Sequence, residues 1–214
     1  MMKLKSEILR LYAVTDRHWL GNQILAQQVE EALKGGATCI QLREKNLDEK
    51  AFLQEAIALK KICSQYEVPL IINDNIKIAL ESDADGVHVG QGDMPADEVR
   101  KILGDNKIIG VTAKTVDQAL KAQELGADYL GSGAMFVTST KTDTWPIDYE
   151  EFKAICKAVT IPVVAIGGIT RENMTQLAGL GMDGVALVSA IFSAENIQQT
   201  CIELKKLSDQ IVRS

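Results

Sequence analysis

The sequence predicts an α/β fold of one kind, a single (β/α)8 TIM barrel, and three observations lead to it. Eight short β-rich runs recur along the 214 residues: LYAVTD, TCIQLR, PLIIND, GVHVG, KIIGVTA, YLGSGAM, PVVAIGG and GVALVSA. Segments with helical spacing of apolar residues separate them, among them NQILAQQVEEALKGG and VDQALKAQELG. The runs are almost continuously apolar instead of alternating, as expected of a parallel sheet covered on both faces. Eight βα units in this length fit a minimal barrel that takes residues 1–214 as one domain. An open doubly wound sheet fits less well, because no Gly-rich nucleotide fingerprint follows the first strand.

The punctuation agrees. Helices are expected to end at KGGAT, ELGAD and GLGMDG, where glycine takes the left-handed cap conformation. Pro69 and Pro162 stand at the starts of strands, where a missing N–H is tolerated.

Composition narrows the function. Hydrophobic residues make up 46% and charged residues 24%, a globular balance. The formal net charge of −6 disfavours nucleic acid, which requires a basic surface, but leaves room for small anionic substrates in a locally basic cleft. The four cysteines, Cys39, Cys63, Cys156 and Cys201, form no C-x-x-C pair and read as reduced, buried thiols. Glu7 and Arg10 break any signal-like apolar core, and no run approaches a membrane span. A cytoplasmic protein with no membrane partner is expected.

In such a barrel the chemistry sits where the strands end. Strand 2 ends in QLREK, where Gln41, Arg43 and Lys45 alternate with Leu42 and Glu44. Alternation puts the amide and the two cations on one side, a set suited to a phosphate-bearing ligand. A rim salt-bridged through Glu44 is the plainer alternative. Strand 3 ends in Asn73 and Asp74, and strand 4 runs into GQGDMPADE with Asp93. Each aspartate alone reads as a helix cap or turn residue. Together, from neighbouring strand ends, they can share one hard cation such as Mg2+ with a ligand's phosphate oxygens.

Strand 5 offers the Thr112 hydroxyl. Strand 6 opens into the longest loop, where Thr138, Ser139 and Thr140 precede Lys141, and the segment through Trp145 is placed to cover the mouth. Strand 7 ends in Gly167 and Gly168, and strand 8 in Val188 and Ser189. Backbone N–H groups after those two strands commonly bind phosphate in this fold. His88 lies in strand 4, packed or cavity-lining according to register. No Ser–His–Asp, Cys–His or zinc-like cluster stands out.

The inventory describes two anion sites and one metal without an obvious nucleophile. Arg43, Lys45, Asn73 and Lys141, with two carboxylates, carry more charge than one monophosphate requires and fit a diphosphate with Mg2+. Arg43, Lys45 and Lys141 are the cations expected to act on it. Two phosphorylated substrates would then meet, one losing diphosphate, and positioning with electrostatics would suffice.

The segments YAVTD, QLREK, IINDN, DGVHVGQGDMP, FVTSTK, VVAIGGI and VALVSAI, in this order over nearly the whole chain, resemble the thiamine-phosphate synthase family. The resemblance implies a TIM barrel that joins an aminopyrimidine methyl diphosphate to a thiazole phosphate, releasing pyrophosphate and thiamine monophosphate by a dissociative path. It implies that Gln41, Leu42, Arg43, Glu44, Lys45, Asn73 and Lys141 bind the pyrimidine diphosphate, and that Asp74 and Asp93 bind Mg2+. Thr138, Ser139 and Thr140 would contact the thiazole phosphate with Gly168, Val188 and Ser189. Thr112 stands where the family usually has serine, and GAMFVTSTK replaces a commoner Gly-Pro-containing version. A thiazole tautomerase or a non-catalytic regulatory barrel of the same superfamily would not need the diphosphate and metal set. An aldolase would want a lysine inside a strand as Schiff-base nucleophile.

Overall fold

The computed structural model describes residues 4–137 and 146–212. Eight parallel strands close into one barrel in sequence order: β1 (Leu11–Val14), β2 (Cys39–Leu42), β3 (Leu70–Asn73), β4 (Gly86–Val89), β5 (Ile108–Thr112), β6 (Tyr129–Gly133), β7 (Val163–Ile166) and β8 (Gly184–Leu187). β1 pairs with β8, with Leu11 opposite Val185, so the described sheet has no edge. Each expected run contains one of these strands. Around them lie α1 (Leu25–Lys34), α2 (Glu49–Gln65), α3 (Ile76–Glu81), α4 (Ala96–Leu103), α5 (Val116–Glu124), α6 (Tyr149–Ala158), the short α7 (Ser189–Phe192) and α8 (Ile197–Ile211).

Period-2 alternation is present but hidden, because both faces are apolar. Leu11, Ala13, Ile40, Leu42, Leu70, Ile72 and Val87 face outward onto the helices. Tyr12, Val14, Cys39, Ile71, Tyr129, Val164 and Ala186 face inward and fill the barrel. Two of the expected helix ends hold: Gly36 (φ +93°) and Gly126 (φ +88°) adopt the left-handed conformation after α1 and α5. The third differs. Between β7 and β8 the outer layer is a 3-10 turn at Met174–Leu177, not a helix ending at GLGMDG. Gly179 and Gly181, both at positive φ, interrupt the segment, while Met174 and Leu177 remain fully buried and still cover the sheet.

One device recurs four times at the N-terminal end of the barrel. The residue before each even strand exchanges two hydrogen bonds with the preceding odd strand. Asp85 N–H donates to the Leu70 carbonyl (2.9 Å), and Leu70 N–H donates to Asp85 Oδ2 (2.8 Å). Asp128 does the same with Ile109 (2.7 and 2.8 Å), and Asp183 with Val163 (2.8 and 2.8 Å). Thr38 does so with Leu11 through its hydroxyl (2.8 and 2.9 Å). The N–H concerned, the first of β1, β3 and β7 and the second of β5, is satisfied by a short polar side chain just before the next strand. Lys60 and Arg100 neutralise Asp85 and Asp128, each at 2.7 Å.

Candidate active site

A cavity of about 240 Å3 opens at the C-terminal ends of the strands. The inward register of β2 continues past its end, so Gln41, Arg43 and Lys45 all line the cavity. Leu42 and Glu44 turn the other way: Leu42 is buried against the helices, and the Glu44 carboxylate meets Arg17 Nε at 2.6 Å. Of the five residues expected at the ligand, the pleat thus sends the side chains of Gln41, Arg43 and Lys45 into the cavity and turns those of Leu42 and Glu44 away from it. Glu44 does not neutralise the rim cations either. Burial and the neighbouring Glu55 carboxyl, against the pull of Arg17, push it up to about 7. Arg43 instead faces Asp16 (3.7 Å) and is held by a bond from its N–H to Thr15 Oγ1 (3.0 Å).

Asp74 is not the cap of α3. Asn75 is, its Oδ1 accepting from Ile78 N–H at 2.9 Å. Asp74 sits at φ +60°, a left-handed conformation that Asp tolerates better than most residues. Its N–H donates to the His88 carbonyl (2.8 Å), which ties the turn to β4. The carboxylate lines the cavity, where Oδ2 accepts from Lys45 Nζ (2.7 Å) and Asn73 Nδ2 (2.6 Å). Asp93 is not a helix cap either: Pro95 stands before α4, and Asp93 Oδ2 accepts from Gly90 N–H at 2.7 Å, closing a turn. It lines the same cavity.

These two carboxylates suit a hard divalent cation. Each is anchored through Oδ2, both reach the same space, and oxygen is the donor that Mg2+ prefers. Among the described residues no group of three or more His, Cys, Asp and Glu side chains gathers. A cation there would accordingly be shared between Asp74, Asp93 and oxygens of a bound phosphate.

Across the cavity, Gly168 (φ +65°) and Gly167 follow β7, and Val188 and Ser189 follow β8. Asn173 pins the first of these loops, donating from Nδ2 to the Gly168 carbonyl (2.9 Å) and accepting from Thr170 N–H (2.8 Å). Thr138, Ser139, Thr140, Lys141 and Trp145 lie outside the described residues.

The floor is polar. Gln41 Nε2 donates to Tyr12 Oη (2.7 Å), and Tyr12 Oη meets Tyr129 Oη (2.8 Å). Tyr129 Oη meets His88 Nδ1 (3.0 Å), and His88 Nε2 meets Thr112 Oγ1 (3.0 Å). The register of β4 turns His88 inward, and the Thr112 hydroxyl is engaged by it. Sequence reasoning passed over Tyr12 and Lys114, which also line the cavity. The signal was the same two-residue spacing: Tyr12 precedes Val14, and Lys114 follows Thr112, on one face of their strands.

Residues 11–191 match the profile of a family described as thiamine monophosphate synthase. The chain is 48% identical over 201 residues to thiamine-phosphate synthase of Clostridium botulinum, covering 94% of each chain. With the thiamine-phosphate synthase of Ruminiclostridium cellulolyticum it shares 50% over 205 residues, 95% of this chain and 98% of the other. The solved structure of thiamine phosphate pyrophosphorylase from Pyrococcus furiosus superposes with a TM-score of 0.89 at 36% identity, covering 97% of this chain and 99% of that one.

Proposed function

The chain belongs to the thiamine monophosphate synthase family, and from that premise we propose how its cavity carries out the reaction. Its activity is that of a thiamine-phosphate synthase, a transferase of thiamine biosynthesis. In our reading the substrates are 4-amino-2-methyl-5-(diphosphooxymethyl)pyrimidine and a thiazole phosphate, and Mg2+ is the cofactor. One observation carries this reading. Gln41, Arg43, Lys45, Asn73, Asp74 and Asp93 converge on one side of a single cavity, and Gly168, Val188 and Ser189 face them from the other.

Arg43 offers a fork and Lys45 a point charge to the diphosphate, and Asn73 holds the Asp74 carboxylate in place. Asp74 and Asp93 would hold Mg2+, which when bound supplies positive charge beside the departing oxygens. The bond between the exocyclic methylene and the diphosphate oxygen breaks heterolytically, and its electron pair leaves with the diphosphate. The electron-rich aminopyrimidine stabilises the resulting cation. The thiazole nitrogen then gives its lone pair to that carbon. It has no proton to lose, so the reaction calls for no general base. The loops after β7 and β8 would hold the thiazole phosphate on backbone N–H groups. Lys141 and Thr138–Thr140 are proposed to complete the diphosphate and thiazole sides. The isomerase and regulatory alternatives draw no support from the relatives named above.

The test is to mix both phosphorylated heterocycles with the protein and Mg2+ and follow pyrophosphate and thiamine monophosphate. Stoichiometric appearance of both is expected. Thiazole isomerisation without pyrophosphate would overturn the reading.

A further inference from the structure

Tyr12 and Tyr129 are 1% and 0% exposed, yet their hydroxyls lie inside a run of four hydrogen bonds that crosses the barrel from β2 to β5. A hydrophobic core does not require two buried phenols in contact. The fold also makes room for them. A Cβ on Gly110 would stand 2.1 Å from Tyr129 Cζ, and one on Gly131 would stand 3.0 Å from His88 Cε1. Tyr12 and Tyr129 pack edge-on with centroids 5.9 Å apart, and the His88 ring lies tilted by 38° to Tyr129 at 5.4 Å. Burial drives both phenols well above the ordinary tyrosine range, so each keeps its single proton and has one to give.

Proton counting then gives the run a direction. Gln41 Nε2–H donates to Tyr12. Tyr12 spends its own proton on Tyr129, and Tyr129 spends its proton on His88 Nδ1. A neutral His88 therefore carries its proton on Nε2 and donates to Thr112 Oγ1, leaving the threonine's proton for the cavity. The opposite direction would put the Gln41 and Tyr129 protons on the two lone pairs of the Tyr12 oxygen and turn Tyr12's own proton onto Cys39 Sγ, a weaker acceptor than the Tyr129 oxygen. Inside a low-dielectric barrel such a run is cooperative, so its polarity is set as a unit.

We propose that Tyr12 and Tyr129 are positioning residues that lock His88 as the Nε2–H tautomer and so set the polarity of the site. Gln41 then presents its carbonyl oxygen to the bound ring, and Thr112 presents a hydroxyl proton. The ligand this selects is a planar heterocycle with an exocyclic amine on one edge and a lone-pair ring nitrogen on another. The proposal rests on the reading above only in taking that heterocycle to be the aminopyrimidine. The tautomer lock itself is a property of the ligand-free protein.

The chain has two histidines, His18 and His88, so 15N-histidine labelling with His18→Gln for assignment reads His88 directly. In ligand-free wild type near neutral pH, Nδ1 is expected to be unprotonated and Nε2 protonated. Tyr129→Phe should release this lock into a tautomer mixture. It should also raise KM for the pyrimidine diphosphate about tenfold, with KM for the thiazole phosphate unchanged; Tyr12→Phe should act in the same direction. An Nδ1–H tautomer or an imidazolium in wild type would overturn the proposal. So would a folded Tyr129→Phe that keeps both the tautomer and the KM. Should that variant not fold, the wild-type spectrum decides alone. A wild type that shows the tautomer but releases no pyrophosphate would leave the lock standing and sink the proposed reaction.

Discussion

Asp74 ends a strand on a carboxylate at a left-handed φ of +60°, where glycine would be at ease. A non-glycine residue pays roughly 1–2 kcal/mol for that conformation, somewhat less for Asp. The strain separates function from folding. Asp74→Gly is expected to leave the unfolding free energy unchanged or to raise it by up to about 1 kcal/mol, while turnover falls on the order of 10²-fold. Urea denaturation beside a pyrophosphate assay checks both; a large loss of stability would make Asp74 a folding residue instead. Glu44 makes a second residue-scale prediction. Folded, it titrates at about 7, above the ordinary glutamate value of 4.5, because it is buried beside Glu55. Between those values the folded state binds more protons than the unfolded state. Glu44 therefore contributes stability at the acid end of the window, and that contribution fades as pH rises through about 7. Glu44→Gln should flatten this slope, read from denaturation midpoints at about pH 5 and about pH 7.5. The identity of these residues was legible in the sequence, but their roles only in part. Nothing local tells whether Asp74 or Asn75 will cap a helix, because both side chains are short acceptors.

At the scale of elements, the buried or half-buried links before β2, β4, β6 and β8 tie each even strand to the odd strand before it. Asp128 satisfies the N–H of Ile109 and pairs with Arg100 at 2.7 Å. Asp128→Ala would leave a strand N–H without its acceptor and the Arg100 guanidinium with backbone carbonyls but no carboxylate, and should cost about 2–3 kcal/mol. Asp128→Asn retains an acceptor oxygen and should cost about half as much. Thermal or chemical melts of the two variants test the order, and equal losses would show that charge alone matters. Strand alternation explains which parts of the site could be read in advance. The spacing of Gln41, Arg43 and Lys45 is a local property of β2, so it carried over intact. The missing helix between β7 and β8 was not readable from apolar spacing. Met174 and Leu177 keep helical spacing, and the turns at Gly179 and Gly181 override it.

On the scale of the whole molecule, closure is what makes the site. β1 and β8 are joined by hydrogen bonds, and α8 packs over that seam with Cys201 and Leu204 fully buried. α1 approaches α8 so closely that a Cβ on Gly35 would stand 2.5 Å from the Cβ of Cys201. Leu204→Ala leaves a cavity at the seam and should cost about 2–4 kcal/mol. Its melt should stay a single transition, because a closed sheet offers no edge at which to open by parts. A separate early transition for the α8 region would show that the seam is not part of the cooperative unit. By itself the sequence determined the eight strands, the barrel they imply, and the charged residues that end them, because period, punctuation and residue chemistry are local. Only the tertiary structure decided which way Glu44 and His88 face, that Asp74 meets Lys45, and that Tyr12, Tyr129, His88 and Thr112 form one run. Those contacts join residues up to 117 positions apart, and their geometry exists only once the eighth strand has paired with the first.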